Sequence, residues 1–401
     1  MDPANRRAGR VALCALLLVG CGRAPSPAPA APAGEAPTPP TAPAAANDPA
    51  APNAPPAAEA GAPGAVPAGA AEAADLGAVP TAVDADPASP LELRPDDAAR
   101  MAETTEVARK AMVFLRTLDP EPARLRREHG MLGHKHHTEY LAALHLIAAW
   151  PGDPKLAAEA RAMADALLRR TASQAAFHDM AAADDQLFFR ESMSYLSGCH
   201  YARLLGHDLP LWKTGIAAIQ ERLDRHLATR GVDQRMSFAM MYKSLQLPGG
   251  DDMLALYPQS LFTRQPDFSE LVQSPGKAYE LTHEVFALTL RGRRLLPVRD
   301  ERDLRWARRT AYGLLHAHAT EKLHDSAAEL LLTRVWLGDA FDPQMAFTRK
   351  MLIEGQRPDG SIGFHTESLI RAEKGNPKYD IRHGAYLHTT MIALWALMAS
   401  S

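Results

Sequence analysis

The chain has 401 residues, 46% hydrophobic and 23% charged, with 44 Lys and Arg against 47 Asp and Glu for a formal net charge of −3. Basic and acidic side chains are interspersed and form no basic stripe, which argues against nucleic acid as a partner. Of the cysteines Cys14, Cys21 and Cys199, only the last falls in the part expected to fold, so no intramolecular disulfide is expected there. Within Ser197-Gly198-Cys199-His200, Cys199 reads as a packing residue rather than a nucleophile.

In chain order, the first element is a basic segment, Arg6, Arg7 and Arg10, followed by the uncharged apolar run Val11 to Val19. That run is about half the ~20 apolar residues of a membrane span, and residues 1–20 read as a cleaved signal segment. It closes on Leu18-Val19-Gly20-Cys21, which resembles a bacterial lipobox. The resemblance implies that Cys21 becomes the lipid-modified N-terminus, with a lipid membrane as partner. It also implies a bacterial cell-envelope address, on the outer membrane or the periplasmic face. Residues 21–90 then form a lipid-anchored linker. Ala24 to Pro90 has no aromatic, Lys or Arg, and holds about half of the chain's 32 prolines. Such a segment cannot bury enough apolar surface to offset its ordering entropy, so it is expected to be a disordered tether. At about 3.1 Å per residue in polyproline II, it reaches on the order of 200 Å when stretched.

Residues 91–401 read as helices. Glu103–Leu118, Leu156–Arg170, Leu211–Thr229, Leu304–Ala319 and Gln344–Glu354 carry amphipathic, charge-bearing patterns. Each is followed by a more uniformly apolar segment: His137–Trp150, Leu187–Leu205, Ser237–Leu247, Tyr279–Leu290, Asp325–Leu337 and Leu387–Ala399 complete the series. No segment alternates with period two between hairpin turns, so the class is all-α. A helix apolar all round must be buried, whereas an amphipathic one keeps a solvent face. Outer-then-inner pairs at a period near 50 residues predict an α/α toroid of about six helical hairpins. The fourth outer helix is the least regular, in the Pro-broken stretch Asp251 to Pro275.

The last pair, Gln356-Arg357-Pro358-Asp359-Gly360-Ser361-Ile362-Gly363-Phe364 followed by His388-Thr389-Thr390-Met391-Ile392-Ala393-Leu394-Trp395-Ala396-Leu397, resembles one repeat of the terpenoid cyclase and protein prenyltransferase superfamily. In that repeat a Gln-x-x-Asp-Gly turn follows the outer helix and an apolar inner helix comes next. The resemblance implies a toroid. His388-Thr389 is also similar to the His-Thr of the last inner helix in prenyltransferase β-subunits, where the histidine binds zinc. The Asp-x-Cys partner of that zinc has Asp359-Gly360-Ser361 in its place, without a thiolate. No Asp-x-Asp-Asp motif of the cyclases is present.

Imidazoles and acids gather where the apolar helices begin. His134, His136, His137 and Glu139 open the first, Asp184, Asp185, Arg190 and Glu191 the second, and Tyr279, Thr282, His283 and Glu284 the fourth. His324, Asp325 and Glu329 open the fifth, and His388 and Thr389 the sixth. Inner helices of a toroid run parallel, so these ends converge at one mouth, where they suit a divalent metal or an acid–base pair. Capping and core packing would also place such residues there. His283, Asp325, Glu329 and His388 are the candidate catalytic set, and His137, Glu139, Tyr279, Asp359 and Thr389 the candidate ligand contacts. The functional expectation is an envelope domain binding a small or glycan-like ligand. An acid–base, metal-assisted enzyme such as a glycoside hydrolase or lyase is the second reading, and a structural scaffold the third.

Overall fold

The computed structural model describes residues 91–93, 95–207, 209–294, 296–298, 300–365, 378 and 380–401. The expected signal segment, Cys21 and the Ala/Pro-rich run to Pro90 lie outside them. The described residues form helices joined by turns and loops, with no strand among them, and their single β-bridge pairs Gln356 with Ile362.

Among the described residues sixteen α-helices follow one another: α1 (Ala98–Arg116), α2 (Pro122–His129), α3 (Gly133–Ala149), α4 (Pro154–Ala172), α5 (Ala175–His178), α6 (Asp185–Leu204), α7 (Pro210–Leu227) and α8 (Val232–Leu245) come first. Then come α9 (Met253–Leu256), α10 (Leu261–Arg264), α11 (Phe268–Gln273), α12 (Pro275–Leu288), α13 (Glu301–Thr320), α14 (His324–Trp336), α15 (Pro343–Glu354) and α16 (Leu387–Ala399). Every helix expected from the pattern is present, with ends moved by a few residues. Two short helices, α2 and α5, carry too few apolar residues to show a period. The irregular outer stretch resolves into α9, a 3-10 turn at Tyr257–Gln259, α10 and α11, each stopped within two turns. Pro258, Pro266 and Pro275 remove the N–H groups that a longer helix would need there.

Four of the amphipathic helices begin on a side-chain cap, whereas α7 starts at Pro210 after an uncapped Leu209. Asp153 and Asp342 accept from the first-turn amides of α4 and α15, and Pro154 and Pro343 take the first helical position. Asp97 and Asp300 cap α1 and α13. The apolar helices are different: α3, α8, α12, α14 and α16 have no side-chain cap. Only α6 is capped, by Asp184.

These six apolar helices pack on one another in a closed order. Helix α3 lies on α6, α6 on α8, α8 on α12, α12 on α14, α14 on α16, and α16 returns to α3. The amphipathic helices cover them: α1 packs on α16, α4 on α3, α7 on α6, α13 on α14, and α15 on both α13 and α14. The core is continuous from Leu91 to Met398, with Trp150, Trp212, Tyr195 and Phe114 among its largest fully buried side chains.

The turn after α15 clasps the last hairpin to the first helix. Gln356 Nε2 donates to the Val107 and Gly360 carbonyls, and Asp359 accepts from the Ser361 amide and hydroxyl. Gly360 has φ 91°, and a Cβ there would sit 1.9 Å from the Lys110 carbonyl oxygen, so only glycine fits. Arg349, almost fully buried, ties this end together by donating to the Leu397 carbonyl and the Thr104 hydroxyl.

Candidate functional site

All six apolar helices send residues into one cavity of about 160 Å³. Lys135 and Glu139 come from α3, Arg190 from α6, Asp233 from α8, Tyr279 and His283 from α12, Glu329 from α14, and His388 and Trp395 from α16. Arg230, just before α8, and Arg291, just after α12, complete the charged lining. Five of these helices start without a side-chain cap, so the positive ends of their dipoles favour nearby carboxylates.

At one side of the cavity Glu329 and His388 meet Asp325, which stands behind them and does not itself line the space. Asp325 and Glu329, one turn apart on α14, and His388 each offer a ligand atom within 4.8 Å of the other two. His388 Nε2 lies 3.5 Å from Asp325 Oδ1 and 4.0 Å from Glu329 Oε1. Its other nitrogen, Nδ1, is 2.8 Å from Glu139 Oε1. Thr282 Oγ1 donates to Glu329 Oε2 at 2.7 Å, and Thr389 Oγ1 donates to Asp325 Oδ1 at 3.2 Å. His283 Nε2 stands 3.9 Å from Glu329 Oε1, and its ring lies against Tyr279 with centroids 3.8 Å apart.

The environment drives these groups into unlike protonation states. Burial alone would depress His388, but Asp325 and Glu139 outweigh it and hold the imidazole up at about 9. Burial also opposes Glu139 ionisation, yet Lys135, His388 and His136 together keep that carboxyl well below its usual range. Nothing comparable rescues Glu329, which burial, with Asp325 adding, pushes up to about 8. Burial takes His283 down to about 3, helped by the charge on His388. At neutral pH the wall therefore holds a charged imidazole between carboxyl groups, one of them protonated, and a neutral imidazole beside it.

Trp395 Nε1, on a residue more than nine-tenths buried, has no hydrogen-bond partner here, and Glu139 Oε2 has only His136 Nδ1, at 3.7 Å. An unsatisfied buried group costs about 1–3 kcal/mol, which a bound ligand would recover.

The residues expected at one mouth are thus partly brought together. His283, Asp325, Glu329 and His388 form one cluster, with Glu139 and Tyr279 beside it. Thr389 is fully buried and touches the cluster through Asp325 rather than lining the cavity. Two expected ligand contacts are corrected. His137 is fully buried on the far side of α3, between Phe177 and Trp212, and does not line the cavity. Asp359 is exposed and spends its carboxylate on its own turn, so no zinc set of the prenyltransferase kind forms with His388. His134 and Glu191 also serve structure, as a buried pair completed by Arg126. Cys199 is half-buried and lines a separate cavity between α6 and α7. Trp395, Arg190, Arg230 and Arg291 were not singled out as ligand contacts. Trp395 follows His388 by seven residues, which places both on one helix face.

The structure therefore defines an all-helical domain with a partly buried acid–imidazole cluster at a cavity. The chain belongs to the family described as a domain of unknown function (DUF6895), which matches residues 113–398. No curated protein and no solved structure matches it.

Proposed function

We propose that the domain is an α/α toroid whose central cavity binds a small saccharide-like ligand, and that Cys21 anchors it by lipid in a bacterial cell envelope. The closed order of six buried helices under amphipathic ones supports the toroid. The lipobox-like Leu18-Val19-Gly20-Cys21 supports the anchor. Among the described residues no helix is long and apolar enough to cross a membrane.

The observation that carries the binding reading is the meeting of a partly buried acid–imidazole cluster and the unpartnered, buried Trp395 Nε1 at one cavity. Buried charges are costly unless partnered, so their concentration at a space rather than in solid core points to a ligand. The lining joins aromatic faces, Tyr279, Phe286 and Trp395, to hydrogen-bonding groups, as a sugar with apolar faces and hydroxyl edges requires. Its volume is below the roughly 300–1,000 Å³ of drug-sized pockets, which limits the ligand to about one ring inside the cavity.

A second reading, acid–base catalysis, has its own observation: His388 and Glu329 both hold protons near neutrality beside an ionised Glu139. Asp325 and Glu329 are unsuited to flank a glycosidic bond as a pair, since they hang one turn apart from one helix face. Any such pair has to span the cavity, drawn from Glu139, Asp233 and Glu329 on three different helices.

Calorimetric titration of the full chain with short neutral and uronic-acid oligosaccharides, in chelator, tests the binding reading. Saturable binding that weakens at least tenfold in Trp395→Ala is expected. Absence of saturable binding across both sugar classes would leave the scaffold reading in its place.

A further inference from the structure

We propose that His388, Asp325 and Glu329 form a binding site for one divalent transition-metal ion of the zinc type, at the wall of the central cavity. The donor set is one imidazole nitrogen and two carboxylate oxygens on two adjacent, rigid helices, α14 and α16. Zinc bonds of about 2.0–2.1 Å in tetrahedral geometry place donors about 3.3 Å from one another. His388 Nε2 already stands 3.5 and 4.0 Å from the two oxygens. A contraction of less than about 1 Å along each separation completes that half of the site. The imidazole donor selects against calcium and magnesium, which take oxygen ligands.

The surroundings have the form of a second ligand layer. A metal-binding histidine donates its other N–H to a carboxylate or carbonyl, which fixes the tautomer and aims the lone pair at the ion. His388 Nδ1 meets Glu139 Oε1 at 2.8 Å, so Nε2 is the nitrogen presented to Asp325 and Glu329. Each carboxyl is also held: Glu329 by Thr282, Asp325 by Thr389. His365 in turn lies 3.2 Å from the Thr389 hydroxyl. Three ligands with three separate orienting partners are more than two acids and a histidine need in order to fill a core. The buried Trp395 Nε1, which lines the same cavity without a hydrogen-bond partner, is an independent sign that a ligand is missing from it.

Three protein ligands leave a fourth position, the arrangement of a zinc site that takes water or substrate. His283 Nε2, 3.9 Å from Glu329 Oε1, and the cavity both border that position. The ion would then polarise a hydroxyl or carbonyl of whatever enters the cavity. The ligand set differs from the Asp-x-Cys and histidine set of the prenyltransferases, because Asp359 and Ser361 bond each other instead.

The site stands on ligand geometry and does not require a sugar in the cavity. The test uses Zn²⁺ alone, titrated calorimetrically into tag-free full chain stripped with chelator. One ion per chain is expected, with binding weakened at least 100-fold in Glu329→Gln and in Asp325→Asn. Glu139→Gln should weaken it about 10–100-fold through His388. Asp359→Asn should bind as the parent does. Circular dichroism identifies any variant that fails to fold, and Glu329→Gln, isosteric with the protonated acid, carries the decision. Absence of stoichiometric zinc in the parent, or parent-like affinity in folded Glu329→Gln, overturns the proposal. Because the sugar titration is made in chelator, failure of either reading is seen separately.

Discussion

Gly360→Ala tests whether the Gln356–Gly363 turn is a structural clasp. Gly360 has φ 91°, where a side chain costs about 1–3 kcal/mol. The added Cβ would stand 1.9 Å from the Lys110 carbonyl oxygen and 2.7 Å from its carbon, main-chain atoms inside α1 that cannot rotate away. The turn must lift off α1, which breaks the 3.0 Å bond from Gln356 Nε2 to the Val107 carbonyl, worth about 0.5–1.5 kcal/mol. Together these give a loss of about 2–4 kcal/mol, or on the order of 5–10 °C in thermal midpoint. The assay is urea and thermal unfolding followed by circular dichroism. Gly276→Ala is the control, because a Cβ there meets nothing within 4 Å and φ is ordinary. It should be neutral or stabilising by up to about 1 kcal/mol. A loss under about 0.5 kcal/mol for Gly360→Ala would refute the clasp.

Away from the cavity cluster, Glu284 is buried with both carboxyl oxygens on the Leu261 amide, and burial, with Asp233 and Glu280 adding, pushes it up to about 8. Its raised value means that the proton it holds stabilises the fold fully below about 4.5 and ceases to do so as pH rises through about 8. Glu284→Gln should therefore gain on the parent between pH 5 and 9, with a ceiling of about 5 kcal/mol at about 1.4 kcal/mol per pH unit. Parallel urea midpoints across that range would contradict it. Cys21→Ser should leave the chain unprocessed or release it from membranes, and unchanged detergent partitioning would remove the lipid anchor from the account.

Helical periodicity carried most of the fold because inner and outer helices differ in how much of their circumference is apolar. It failed where helices are too short to show a period, at α2, α5 and the pieces between Asp251 and Pro275. The cluster was legible for the same geometric reason: Asp325, Glu329 and His388 fall in the first two turns of buried helices, and His283, the ninth residue of α12, faces the same cavity. What periodicity can resolve, and composition cannot, is the face. His137 and Glu139 are two residues apart, about 200° around α3, so one faces Trp212 and the other the cavity. Lys135, Glu139 and Ala142 share the cavity face by i, i+4 and i, i+7 spacing, and His388 and Trp395 share theirs. Asp359 could not be separated from a ligand residue without its coordinates, because an Asp before Gly serves a turn as readily as a site. Arg230 and Arg291 reach the cavity from outside regular helix, where no period points.

The central claim is that the Asp325–Glu329–His388 cluster serves a ligand rather than the fold. Asp325→Asn, assayed in parallel for oligosaccharide and Zn²⁺ binding and for thermal midpoint, tests it most directly. The account predicts that binding is lost while the midpoint stays within about 2 °C of the parent. A drop equivalent to about 1–3 kcal/mol, the value of a lost buried hydrogen bond, with no effect on any binding, would contradict it.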